Sequence, residues 1–155
     1  MQMPLTGGCQ CGAIRYAIAA EPLRVYVCHC RECQLQSASA FGISVIVPAR
    51  AFTFSRGHAS TWSRPTASGG VLECMFCAAC GTRVCHADAR EDTVSIKGGS
   101  LDVPVDLTSA FHIWTSRKLP GVVIPDGATQ YPAEPPPPDL GPLRGPSPQG
   151  EGEPR

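Results

Sequence analysis

Apolar positions along this chain come in short alternating runs, not in the three-to-four-residue rhythm of helices. Ile14, Tyr16 and Ile18 alternate with Arg15 and Ala17, and Val25 and Val27 alternate just before Cys28. Phe41 to Val47 is an apolar run ended by Pro48, and Phe52 and Phe54 alternate ahead of an Arg56-Gly57 turn. Val71 to Phe76, Arg83 to His86, Thr93 to Lys97 and Ala110 to Thr115 complete the set of expected strands. Gly69-Gly70, Gly98-Gly99 and Pro120-Gly121 mark turns between them. Only Arg31 to Ser39 reads as a helix, and a short one. The expected class is mostly β, with small antiparallel sheets.

Composition sets the expected domain boundary. Pro125 to Arg155 holds ten Pro and five Gly in 31 residues, and its apolar residues Tyr131, Leu140 and Leu143 stand apart. Such a segment buries too little to offset its ordering entropy. The expectation is one domain over residues 1–124 and a disordered tail over 125–155. A core of that size built from short strands is modest, so structural metal would help hold it.

Charge narrows the function. Thirteen Lys and Arg balance 13 Asp and Glu, leaving no basic field for a nucleic-acid backbone or an anionic membrane. No run approaches the roughly 18 apolar residues of a membrane span. Met1 to Gly8 has neither a basic nor an apolar signal region, so a cytoplasmic location is expected.

Nine cysteines carry the chemistry. In a reducing compartment, an odd number in clusters points to metal more than to disulfides. Three clusters stand out: Cys9 with Cys11; Cys28, Cys30 and Cys33; and Cys74, Cys77 and Cys80, while Cys85 stands alone. Two sulfurs two or three residues apart can both reach one Zn²⁺ from a tight turn, and two such turns close a tetrahedral site. Gly12 follows Cys11 and Gly81 follows Cys80, whereas Gln34 follows Cys33. The shared ending suggests that Cys9, Cys11, Cys77 and Cys80 form a closed four-thiolate site. The middle cluster then supplies three thiolates and keeps a fourth position open, as catalytic zinc does. Spacing also allows Cys28 and Cys33 to pair with Cys77 and Cys80.

The ordered motifs Gly7-Gly8-Cys9-x-Cys11-Gly12-x-x-Arg15-Tyr16, Cys28-His29-Cys30-x-x-Cys33, Phe76-Cys77-x-x-Cys80-Gly81-Thr82, Gly99-Ser100-Leu101-Asp102 and His112-Ile113-Trp114 resemble the glutathione-dependent formaldehyde-activating enzyme family. That family also includes centromere protein V-type domains. The resemblance runs from about Leu5 to Pro125. It implies a β-tent fold with two zinc ions: a structural one on Cys9, Cys11, Cys77 and Cys80, and a catalytic one on Cys28, Cys30 and Cys33. It also implies a carbon–sulfur lyase that joins a thiol such as glutathione to formaldehyde or a related electrophile. The alternative is a non-catalytic zinc scaffold, as the centromere-protein relatives suggest.

Three thiolates make zinc a weaker Lewis acid than three imidazoles do, yet leave it a good resting place for an incoming thiolate. His29, beside the ligands, is the candidate proton donor. Cys74 and Cys85 are expected as buried small hydrophobes. His112 is expected as a satisfied core or pocket-wall residue, and His86 as hydrogen-bonded. Trp62 and Trp114 are expected in the core. Arg15 sits in a strand pattern, where it can face solvent, neutralise thiolates or grip a substrate carboxylate.

Overall fold

Alternation along short strands produces two sheets, and the alternate residues decide which face each sheet buries. The computed structural model describes residues 3–66 and 69–136. A three-stranded antiparallel sheet is formed by β1 (Leu5–Gly8), β2 (Arg15–Ile18) and β5 (Phe52–Arg56), in the order β1-β2-β5. The larger sheet contains β3 (Arg24–Cys28), β4 (Gly42–Pro48), β6 (Ser60–Pro65), β7 (Val71–Phe76), β8 (Arg83–Asp88), β9 (Thr93–Lys97) and β10 (Phe111–Ile113). Its order is β10-β3-β4-β9-β8-β7-β6. The architecture is mostly β, as the alternation implies, with one departure: β10 pairs parallel to β3, and only the other pairings are antiparallel.

The main core lies between the sheets. Leu5, Ile14, Tyr16 and Ile18 from the small sheet and its turn pack with Val45, Val47, Val84, Cys85, Val94 and Ile96 from the large one. Burying a Val, Ile or Leu side chain contributes about 1.5–3 kcal/mol, so this cluster is the main source of stability. Cys9 and Cys77 belong to the same cluster. Register makes the two faces of the large sheet explicit. Val45, Ile96, Cys85 and Met75 line up across β4, β9, β8 and β7 on the core side. The next row, Ile46, Ser95, His86, Cys74 and Trp62, lies on the opposite face.

That opposite face carries helix α1 (Arg31–Ser37). A helix of two turns is marginal alone, and this one is anchored. The buried Gln34 donates from Nε2 to the carbonyls of His29 (2.8 Å) and Arg117 (3.0 Å). It ends earlier than the polar pattern to Ser39 implies, because Ala38 turns left-handed (φ 48°) and its N–H closes on Gln34 and Leu35.

Two strands escape the hydrophobic pattern. In β1 (Leu-Thr-Gly-Gly) a single large apolar side chain is present, and in β6 no residue is buried. Trp62, on that edge strand, is 52% exposed and not in the core. Trp114 is half-buried, with the Arg117 guanidinium 4.7 Å from its ring centre and its indole N–H on Glu134. Cys74 and Cys85 are buried small residues as expected.

The boundary expected after Ile124 moves outward. His112 donates its N–H to Thr129 (2.9 Å), and Tyr131 donates back to His112 (2.8 Å). Trp114 and Thr115 bond to Ala133 and Tyr131. Tyr131 also stacks on Phe111, with ring centres 6.4 Å apart. Residues 129–133 therefore cover the outer edge of β10, whose unpaired backbone would otherwise face solvent. The rest of the expected tail, 137–155, lies outside the described residues. A chain ending at Ile124 should be less stable than one ending at Pro136 by about 2–3 kcal/mol, through lost Tyr131 burial and backbone hydrogen bonds. Urea denaturation of the two chains measures the difference.

Candidate metal centres

The sulfurs of Cys9, Cys11, Cys77 and Cys80 all lie within 4.8 Å of one another. Cys9 and Cys11 come from the turn between β1 and β2, and Cys77 and Cys80 from the turn between β7 and β8. Each turn closes on itself: Gly12 N–H bonds to Cys9 O (3.0 Å) and Gly81 N–H to Cys77 O (2.8 Å). Both glycines have positive φ, 75° and 74°, a conformation that Gly adopts without steric cost. Backbone donors aim at the sulfurs, with Ile14 N–H 3.2 Å from Cys9 Sγ.

Cys9 Sγ is 3.5 Å from Cys11 Sγ, and Cys11 Sγ is 3.7 Å from Cys77 Sγ. Four sulfurs bound at ~2.3 Å in a tetrahedron would sit about 3.8 Å apart. The separations fit a metal ion and are far too long for a disulfide. The thiols respond to one another. Hydrogen bonds from the Thr82 hydroxyl and N–H hold Cys80 down at about 5. At Cys11 the Ala13 N–H pulls down, but hydrogen bonding with Cys9 and Cys80 wins and pushes it up to about 11.

The second group is Cys28, Cys30 and Cys33, again within 4.8 Å. Cys28 ends β3, Cys30 caps the N-terminus of α1 and accepts the Cys33 N–H at 3.3 Å, and Cys33 lies in the first turn. Gly42 makes room for it: a Cβ there would stand 3.1 Å from Cys33 Cβ. Among the described residues no fourth His, Cys, Asp or Glu donor joins the three. Cys28 is buried, while Cys30 and Cys33 are half-buried and reach the surface. Hydrogen bonds from Cys28 and Cys33 hold the Cys30 thiol down at about 2. The Cys28 thiol is pushed strongly upward by the same contacts. The thiols thus shift in opposite directions through the hydrogen bonds they share, Cys30 downward and Cys28 upward. A soft dication would allow all three to ionise. The alternative pairing, Cys28 and Cys33 with Cys77 and Cys80, does not occur.

His29 is not part of that donor set. Its ring is fully buried on the other side of the strand end, stacked on His112 at 5.3 Å and edge-on to Phe41 at 5.7 Å. His29 Nε2 and His112 Nδ1 are 3.0 Å apart, and His29 Nδ1 has no hydrogen-bond partner among the described residues. Burial lowers both imidazoles, so they are held neutral. The expectation that His29 is a proton donor at the reacting centre meets a ring sealed from solvent. Its main chain is as firmly held, with the N–H on Ile113 O at 2.9 Å.

A family model described as glutathione-dependent formaldehyde-activating enzyme matches residues 4–117. The chain belongs to that family. The match contains all seven clustered cysteines together with His29 and His112. A solved protein from Rhodobacter sphaeroides, 18% identical, shares the fold with a TM-score of 0.50 over 81% of this chain and 98% of its own. The family's described activity, activation of formaldehyde with glutathione, makes this chain a member of an enzyme family. No helix among the described residues is long and apolar enough to cross a membrane.

The family motif residues outside the sulfur groups have structural partners. Arg15 forms a two-pronged pair with Asp102, which also accepts the Thr6 hydroxyl at 2.6 Å. It ties β2 to the Gly98–Ser100 turn and its successor, and its charge also acts on Cys9. Tyr16 Oη meets Ser100 Oγ at 2.8 Å. His86 accepts from Lys97 Nζ at 2.9 Å. Lys97, Arg83 and Arg64 had not stood out in the sequence; only strand register brings them to the α1 side.

Replacing His112 with Leu should cost roughly 1–3 kcal/mol, because His29 Nε2 then loses its partner while staying buried. Metal content should be unchanged. The sign with pH is also set. Both imidazoles are lowered from 6.5, so the neutral pair adds stability above about pH 6.5 that is lost as pH falls through the lowered values. Denaturation of wild type and variant at pH 7.5 and 5.5 should show a smaller loss on acidification for His112→Leu.

Proposed function

We propose that the protein is a zinc enzyme of the carbon–sulfur lyase type, which forms or cleaves the adduct between a glutathione-like thiol and a small aldehyde such as formaldehyde. The observation that carries this reading is the three-sulfur group of Cys28, Cys30 and Cys33, half-open to the surface and lacking a fourth protein donor among the described residues. A site built for structure alone uses four donors, as Cys9, Cys11, Cys77 and Cys80 do. Family membership supports the choice of thiol and aldehyde.

Bound zinc would supply a soft position that lowers the pKa of a substrate thiol and holds its sulfur beside the aldehyde carbon. The chain's part is to fix that position. Cys28 is set by β3, Cys30 and Cys33 by the first turn of α1, and Gln34 clamps the loop through the His29 carbonyl. In the forward direction a sulfur lone pair forms the C–S bond and the carbonyl π pair moves to oxygen, which takes a proton from water. Cleavage reverses these movements. His29 serves as a positioning residue: its ring, locked on His112, keeps Cys28 and Cys30 turned to the opposite side.

Two measurements test this. Purified protein should hold two equivalents of zinc, and Cys80→Ser should unfold or aggregate it, since structural zinc carries on the order of 10–16 kcal/mol of apparent folding free energy. Cys33→Ser should instead leave a folded protein with one zinc equivalent and no detectable formation of S-hydroxymethylglutathione. Full turnover in Cys33→Ser would overturn the assignment of the open site.

A further inference from the structure

The face of the large sheet beneath α1 is lined by cationic side chains, several of whose N–H groups have no acceptor among the described residues. Arg64 lies two residues beyond Trp62, and Lys97 two beyond Ser95, so both extend the row face of Ser95, His86 and Cys74. A bulge in β8 adds Arg83 to it. Met75 pairs with Cys85 but Phe76 pairs with Arg83, so Val84 is the extra residue. Val84 and Cys85 both enter the core, which returns Arg83 to the His86 side. Three half-buried cations therefore share one surface with His86.

Among the described residues, Arg83 Nε and Nη2, Arg64 Nε and Ser95 Oγ are buried without a hydrogen-bond partner, while Arg64 Nη1 donates to the Pro65 carbonyl at 3.5 Å. Lys97 donates to His86 and has further N–H groups free for another acceptor. No acid compensates them: among the described residues the ion pairs are Arg15–Asp102 and Arg90–Asp88. Asp88, in register with Leu72 and Arg64, is taken by Arg90 through two side-chain bonds. In a chain of zero net charge such a concentration is local.

This surface adjoins the three-sulfur group. Gln36 of α1 reaches Cys74 Sγ at 3.8 Å, so the helix that carries Cys30 and Cys33 rests on it. The charges of Lys97 and Cys33 act on each other. Balancing the sulfurs does not use up the cations. Three thiolates on a dication leave a net charge of about −1, against three positive side chains. Buried guanidinium groups left without acceptors are costly, and a carboxylate satisfies them with strong, two-pronged bonds.

We propose that Arg83, Arg64 and Lys97 form the subsite that recognises a carboxylate on the thiol substrate, making the enzyme selective for acidic thiols over neutral ones. This rests on the three-sulfur group binding a thiol, as argued above. Trp62 is exposed on the same face.

The test uses the full chain loaded with cobalt(II), whose visible absorption reports a thiol joining the three-sulfur site. The probes are 3-mercaptopropionate and 2-mercaptoethanol. The carboxylated thiol should bind at least about tenfold more tightly, the size of one hydrogen bond to a charged group. Arg83→Gln should cut that preference to nearly onefold while leaving 2-mercaptoethanol affinity within about twofold. Arg64→Gln, on the edge strand, should reduce the preference in the same direction and carries the test if Arg83→Gln loses cobalt. Equal affinity of the two probes in the wild type would overturn the subsite while leaving thiol binding intact. Equal weakening of both probes in the variants would overturn it too, since the cations would then serve only the sulfurs. If neither thiol changes the spectrum, the thiol-binding reading falls and the subsite with it.

Discussion

Sulfur atoms packed against sulfur atoms are the constraint on which this fold depends. Cys11 and Cys77, 66 residues apart, have their sulfurs 3.7 Å apart, and two more thiols crowd the same point. Four thiolates cannot share such a volume without a cation. Hydrogen bonds to Thr82 hold Cys80 down, while at Cys11 hydrogen bonding with Cys9 and Cys80 pushes up against the pull of the Ala13 N–H. A metal ion would remove that conflict and tie the β1–β2 turn to the β7–β8 turn. Such a tie would fasten the small sheet across the large one, where Cys9 and Cys77 continue directly into the core between them. For a domain whose core is a thin layer between short strands, it would add to the stability that burial supplies.

The three-sulfur loop depends on a different support. Its sulfurs project from a strand end and a two-turn helix, neither of which is rigid alone. Gln34 holds the helix to the His29 carbonyl, and the parallel strand β10 holds His29 through its N–H. Residues 129–133 then brace β10 from outside. The His29 and His112 imidazoles, stacked beneath the loop, complete the base. The support is built mainly from hydrogen bonds to the backbone of the loop, with Cys30 Sγ capping the helix, and Cys30 and Cys33 still reach the surface.

Much of this was legible in the residues themselves. The period-two alternation marked the buried strands because each needed one apolar face. The Cys-x-Cys-Gly and Cys-x-x-Cys-Gly spacings marked the paired turns, because a tight turn with a positive-φ glycine is a local property. Spacing left open whether Cys28 and Cys33 pair with Cys77 and Cys80; the structure separates the three-sulfur loop from the four-sulfur group. β1 and β6 were not legible, since Gly-Gly and an exposed edge strand carry no hydrophobic signature. Nor was the packing of residues 129–133, where proline-rich composition hid a backbone that completes an edge.

Local chemistry was therefore set by the sequence alone: which thiols share a turn, which stretch is a strand, and how many donors each cluster brings. The tertiary structure decided everything that depends on facing. It turned His29 inward onto His112 and not toward the sulfurs, because residues adjacent in an extended strand point to opposite sides. It paired Arg15 with Asp102 and left Arg83, Arg64 and Lys97 on one face without an ion pair among the described residues. Those outcomes turn on strand register and on a single extra residue in β8. A shift of one position reverses every side chain beyond it, and no local pattern of residues records that shift.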